Sequence, residues 1–119
     1  MATAPTMQSF ALMSGDQVQL EFTITDNDGA AVDLTGGSGR FAMARRPSSS
    51  SNVIDSAASP QTATISVVSA VAGTVNVVIT DENTEALLGD YYWEFKWTDA
   101  SGREALVARG WIDFKRNLI

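Results

Sequence analysis

Five short segments carry side chains whose type and spacing could do chemistry. Asp26-Asn-Asp-Gly29, with Asp33 close behind, offers the oxygen ligands of a calcium loop. An EF-hand loop places its glycine sixth and a bidentate Glu twelfth. Here glycine comes fourth and position 37 is Gly, so the segment reads as a plain turn. Asp81, Glu82 and Glu85 form an acidic cluster. Glycoside hydrolysis needs two carboxyls held roughly 5–10 Å apart across a cleft, and nothing in the spacing singles out such a pair. Gly36-Gly-Ser-Gly39 has the composition of a phosphate cradle. It lacks the Lys-Ser/Thr ending of a P-loop and leads into a strand pattern, so it reads as a flexible turn. Arg45-Arg46 and Lys115-Arg116 are compact basic pairs, each either a solvated strand end or a contact to an acidic partner.

Composition removes most other chemistry. The chain has 119 residues, with no Cys and no His. That excludes thiol and imidazole nucleophiles, Ser-His-Asp triads, disulfides and the usual zinc, haem and iron–sulfur ligation. No catalytic, cofactor-binding or metal-binding residue is assigned, and no enzymatic activity is expected. The net charge of -6 argues against a nucleic-acid partner, which demands a basic face. The N-terminus lacks the basic start and apolar run of a signal peptide, and no apolar stretch nears the roughly 20 residues that span a bilayer. Assembly in a cytoplasm, with no membrane partner, is the expectation.

These segments hang on strands. Period-two alternation runs through 17–25, where Val18, Leu20, Phe22 and Ile24 face one way, and recurs at 40–45, 62–68, 74–80, 91–98 and 104–115. Phe41 and Met43 take the inner side of the second, and Tyr91, Trp93, Phe95 and Trp97 share one face of the aromatic strand. On the last strand Leu106, Ala108, Ile112 and Phe114 are expected inside. Only 81–88 reads as helical, for one or two turns, with Asp81 as its cap, Glu85 in the first turn, Leu87 or Leu88 inward and Gly89 as its stop. Residues 1–13 are an N-terminal arm with a candidate first strand, the first eight loose. Residues 14–116 form one domain, and 117–119 a tail. About seven short strands with regular turn signals predict an all-β sandwich or barrel.

Leu88-Gly-Asp-Tyr-Tyr-Trp93 resembles the corner of immunoglobulin-like sandwiches, in which a Tyr hydroxyl bonds back to the loop it has just left. Tyr91 takes the corner position, and Trp93 stands where an antibody domain places its second cysteine. The fold class is therefore an all-β, immunoglobulin-like antiparallel β-sandwich of about seven strands with one short helical turn near 81–88. Four segments extend the likeness: Gly15-Asp-Gln-Val-Gln-Leu-Glu-Phe, Val32-Asp-Leu-Thr-Gly36 leading to Phe41-Ala-Met, Ile79-Thr-Asp-Glu-Asn-Thr-Glu with Gly89-Asp-Tyr-Tyr, and Thr98-Asp-Ala-Ser-Gly102 followed by Gly110. Their order resembles the immunoglobulin-like N-terminal domain of tailed-phage upper-baseplate proteins and related small phage virion structural proteins, over residues 14–115. The resemblance implies a virion structural protein, without cofactor, that joins other virion proteins in symmetric multiple copies. The alternative from another class is a carbohydrate-binding or host-surface adhesin module.

Two aromatics depart from the inner set. Pairing 91–98 with 104–115 through the Asp99–Gly102 turn puts Tyr92, Glu94 and Lys96 outside on one strand. Val107, Arg109, Trp111, Asp113 and Lys115 fall outside on the other. An outward Trp beside Arg and Tyr has the composition of an interface hot spot, so Tyr92, Arg109, Trp111, Arg45 and Arg46 are the interface candidates. A bulge at Gly110 would instead turn Trp111 into the core.

Overall fold

The computed structural model describes residues 6–26, 28–49, 51–58 and 61–116. In chain order the elements are β1 (Thr6–Met13), β2 (Val18–Thr23), β3 (Ser38–Ala44), β4 (Ile54–Asp55), β5 (Thr64–Ser69), β6 (Thr74–Ile79), α1 (Asp81–Thr84), β7 (Gly89–Thr98) and β8 (Glu104–Lys115). One sheet runs β1-β8-β7-β3-β4 and the other β2-β6-β5. A three-strand sheet of second, fifth and sixth strands facing one built on the third and the last two is the immunoglobulin arrangement. The all-β sandwich read from the sequence is the fold observed. The 117–119 tail and residues 1–5 of the arm lie outside the described residues.

Alternation explains the layers. Val18, Leu20 and Phe22 on β2, and Val75, Val77 and Ile79 on β6, are buried while their neighbours in sequence are not. They meet Phe41, Met43, Tyr91, Trp93, Phe95 and Trp97 from the larger sheet. At roughly 25 cal/mol per Å² of apolar surface removed from water, these rings and branched chains are the main term holding the sheets together.

Four local readings change. Thr6, Met7 and Gln8, expected in a loose arm, belong to β1, which pairs parallel with β8 from Thr6↔Ala108 to Met13↔Lys115. The physical reason is Phe10 and Leu12, which pack against the core and carry the strand with them. The helical turn stops at Thr84 rather than 88, and Thr80, not Asp81, is its N-cap. Glu85 is its C-cap, and Gly89 opens β7 at φ +88° instead of ending a helix. Of the two leucines, Leu87 is buried and Leu88 exposed. On β8 the expected faces of Leu106 and Val107 are exchanged: Val107 is buried, and Leu106 stands opposite Lys96 on the outer side. A bulge opposite Phe95 and Lys96 adds Val107 to β8 and reverses the alternation before it. Gly110 itself pairs regularly with Trp93.

The glycine run 36–39 has a packing task. A side chain at Gly37 would lie 2.7 Å from Trp97 Nε1 and from the Thr98 carbonyl, and one at Gly39 would press on Phe95. The missing Cβ atoms let β3 lie directly on the rings of β7.

β4 is short and is held by charge. Asp55 pairs with Ala42, and its carboxylate accepts two bonds from Arg40, Nε at 3.1 Å and NH2 at 2.6 Å. Asn52 Nδ2 and the Ala57 N–H also donate to it. The Arg40 bonds above all lower the Asp55 pKa from 3.8 to about 2. A depressed folded-state pKa gives stability that is complete above the unfolded value and is lost as pH falls through the folded one. Arg40 is half exposed, so screening reduces the pair's worth to about 1 kcal/mol. Asp55→Asn should therefore lower stability by about that amount at neutral pH and flatten its decline between pH 4 and 2, read by denaturant titration across pH. An unchanged acid profile would refute the assignment.

Candidate functional site

The outer face of the five-strand sheet gathers the interface candidates. Register places Tyr92 opposite Trp111 and Glu94 opposite Arg109 across β7 and β8. The Tyr92 and Trp111 rings meet edge to face, with centroids 5.6 Å apart at 65°. Trp111 keeps 37% of its surface exposed, whereas Trp93 and Trp97 keep 0% and 1%, so the third tryptophan faces outward. Tyr92 donates its hydroxyl to Glu94 Oε2 at 2.8 Å. Burial first, and then this bond, raise the Tyr92 pKa, while Arg109 at the same hydroxyl opposes the rise. The Glu94 bond and the Trp111 contact together brace the Tyr92 ring.

An open hollow beside this pair is lined by Arg45, Arg46, Asp90 and Trp111. The two arginines follow β3 directly, and Asp90 is the residue of β7 that faces Asp113. Arg45, Arg46 and Trp111 therefore share one hollow, and Trp111 carries it on to Tyr92, although the arginines lie far from both in sequence. The roles of the two arginines differ. Arg45 donates NH1 to the Leu88 carbonyl at 3.0 Å and lies over the Tyr91 ring at 4.3 Å, so it clamps the corner. Arg46 is exposed, and among the described residues only its backbone is engaged, with Ser49. Lys115 pairs with Asp113 of its own strand at 3.2 Å, which leaves it a weaker candidate for an outside partner.

The corner forms with the bond reversed. The Leu88 N–H donates to the Tyr91 hydroxyl oxygen at 3.3 Å, so the hydroxyl accepts from the loop. The ring meets Phe114 edge-on at 5.9 Å, and Trp93 beside it is fully buried. Two further bonds fix the same end of the sandwich: Ser14 Oγ donates to the Leu87 carbonyl, and Thr84 Oγ1 donates to the Asp16 carbonyl at 2.7 Å. Sequence reasoning passed over Ser14, Thr84, Arg40 and Asp55. Their partners lie 15 to 73 residues away, beyond any local pattern.

The remaining clusters are committed to turns. Asp26 Oδ1 accepts the N–H groups of Asp28 and Ala30 at 2.9 and 3.0 Å. Asp33 Oδ1 accepts from the Thr35 hydroxyl and N–H, and these bonds lower its pKa. Asp81 Oδ1 takes the Glu82 N–H, and Glu82 and Glu85 stand exposed. Among the described residues no three Asp, Glu, His or Cys side chains stand close enough to share a metal ion. No described helix is long and apolar enough to cross a membrane.

Fold and site together define an immunoglobulin-like sandwich with an aromatic and basic patch on its larger sheet. No protein-family model and no curated protein matches the chain.

Tyr91→Phe keeps the ring and its contacts but removes the acceptor for Leu88. It should cost about 0.5–1.5 kcal/mol, measured as a shift of the denaturation midpoint at constant slope. An unchanged midpoint would show that the corner bond adds nothing.

Proposed function

We propose that the chain is a non-enzymatic structural protein of a tailed-phage particle, an attachment or adaptor module that joins other virion proteins in the tail, baseplate, neck or capsid surface. The observation that carries this reading is the outward Trp111 braced by Tyr92 and flanked by Arg109 and Arg46. With 37% of its surface uncovered the indole has area left to bury, and Trp, Tyr and Arg are the residues enriched where interfaces concentrate their energy. The resemblance of four ordered segments to baseplate and small virion proteins supplies the setting. Charged groups of both signs around the indole, Arg46 and Asp90 among them, suit a polar rim around a small apolar centre.

Such a protein is present in purified particles and needs no cofactor. Trp111→Ala should lower its incorporation while costing the free domain less than the roughly 3–5 kcal/mol of a buried aromatic. Mass spectrometry of purified particles, with thermal unfolding of the free domain, reads both. Normal incorporation together with severe destabilisation would overturn the contact face. Binding of the free domain to host-surface glycan, abolished by the same substitution, would replace the virion reading with the adhesin one.

A further inference from the structure

The sandwich ends in four edge strands, and three of them are blunted. β4 has two residues, β5 is bulged between Val67 and Ser69, and β2 carries Glu21 on its exposed row. β1 has none of these devices. Its eight residues, Thr-Met-Gln-Ser-Phe-Ala-Leu-Met, include no charge and no proline, and its register with β8 runs without a break. A long, uncharged, regular edge is what natural sheets avoid unless something pairs with it.

The direction of its free groups follows from one bond. The Ser14 N–H, next after the strand, donates to the Lys115 carbonyl of β8 at 2.9 Å. Backbone N–H groups alternate along a strand, so those of Leu12, Phe10, Gln8 and Thr6 also point to β8. Those of Met7, Ser9, Ala11 and Met13 point to the open edge. The Met13 carbonyl already takes a 3.3 Å bond from the Asp16 N–H, which marks where the open ladder stops. Phe10 and Leu12 pack on the core yet remain only half-buried, and Ser9, Ala11 and Met13 are exposed.

We propose that β1 pairs antiparallel with β1 of a second copy of this chain, so that two larger sheets join into one across a two-fold axis at Phe10. In that register Ser9 faces Ala11 of the second copy and Ala11 faces its Ser9, each pair exchanging both backbone bonds. Met7 faces Met13 at either end. The pairing is self-complementary, as a two-fold contact must be. Because β1 carries no charge, two chains of net charge -6 meet where neither presents a like charge. The joined strands also cover the open sides of Phe10 and Leu12. Ser9 stands beside Trp111 in the ladder, so both tryptophan patches come to lie on one face of the joined sheet. The two β8 strands are then three strand spacings apart, about 14 Å. This pairing stands independently of the virion reading.

Sedimentation equilibrium of the whole chain over a concentration series tests it. The expected result is a dimer for the wild type and a monomer for Ala11→Pro. That proline removes only an N–H aimed at the open edge and leaves the β8 ladder intact. A cysteine-free chain allows a second, register-specific measurement. Chains carrying Ser9→Cys mixed with chains carrying Ala11→Cys should cross-link on oxidation several-fold more than either alone. Directly opposed residues fall within disulfide reach, whereas like residues sit on the longer diagonal. A wild type that stays monomeric, a folded Ala11→Pro that stays dimeric, or no excess cross-linking in the mixture would each overturn the proposal. If Ala11→Pro fails to fold, the cysteine mixture decides alone.

Discussion

Trp93 is the contact on which the sandwich depends. Its ring lies within 5.8 Å of Phe10 and Phe41 and 5.5 Å of Phe22, so one side chain of β7 touches β1, β2 and β3. Phe22 passes the contact on to Phe95, stacked at 4.9 Å. Both sheets and the parallel first strand therefore meet around one fully buried indole. In antibody domains a disulfide ties the two sheets at this place. A large ring fills the same volume by close packing, and it works in a chain without cysteine. Among the described residues its own N–H finds no partner, a cost accepted for the apolar contact around it.

A core spread along the inner face of the aromatic strand leaves the connections between strands to be fixed by other means. Polar groups buried in the crossovers do this. Ser14 and Thr84 bind the carbonyls of Leu87 and Asp16, so the β1–β2 crossover and the helical turn hold each other. Ser56 accepts the Phe41 N–H at the edge where β4 ends, and Asp55 with Arg40 secures the rest of that edge. Ser14, Ser56 and Thr84 are buried, so their bonds satisfy groups that would otherwise be unpaired, which is worth more than the modest net gain of the bond itself.

With the inner faces filled, the outer face of the larger sheet is free to carry function. Regular register beyond the Val107 bulge keeps Arg109, Trp111 and Asp113 on that face, and the Tyr92–Glu94 bond stiffens it. Tyr92, Arg109 and Trp111 thus stand on paired strands, while Arg45 and Arg46 reach them from the turn after β3.

The sequence by itself determined the layers: strict alternation at Val18, Leu20, Phe22 and Ile24, and at Tyr91, Trp93, Phe95 and Trp97, told inside from outside because side chains in a strand repeat every second residue. It also singled out Tyr91 as the corner and Trp111 as the aromatic on the outer row. Other features required pairings between distant segments, which no local pattern contains. The tertiary structure alone decided that 6–8 join β1, because Phe10 and Leu12 earn their place only against Trp93 and its neighbours. It alone exchanged Leu106 and Val107, since a bulge is set by the partner strand. And it alone turned Arg45 into a clamp on Tyr91 and brought Arg46 to Trp111, because the end of β3 and the middle of β8 become neighbours only once the sheet is assembled.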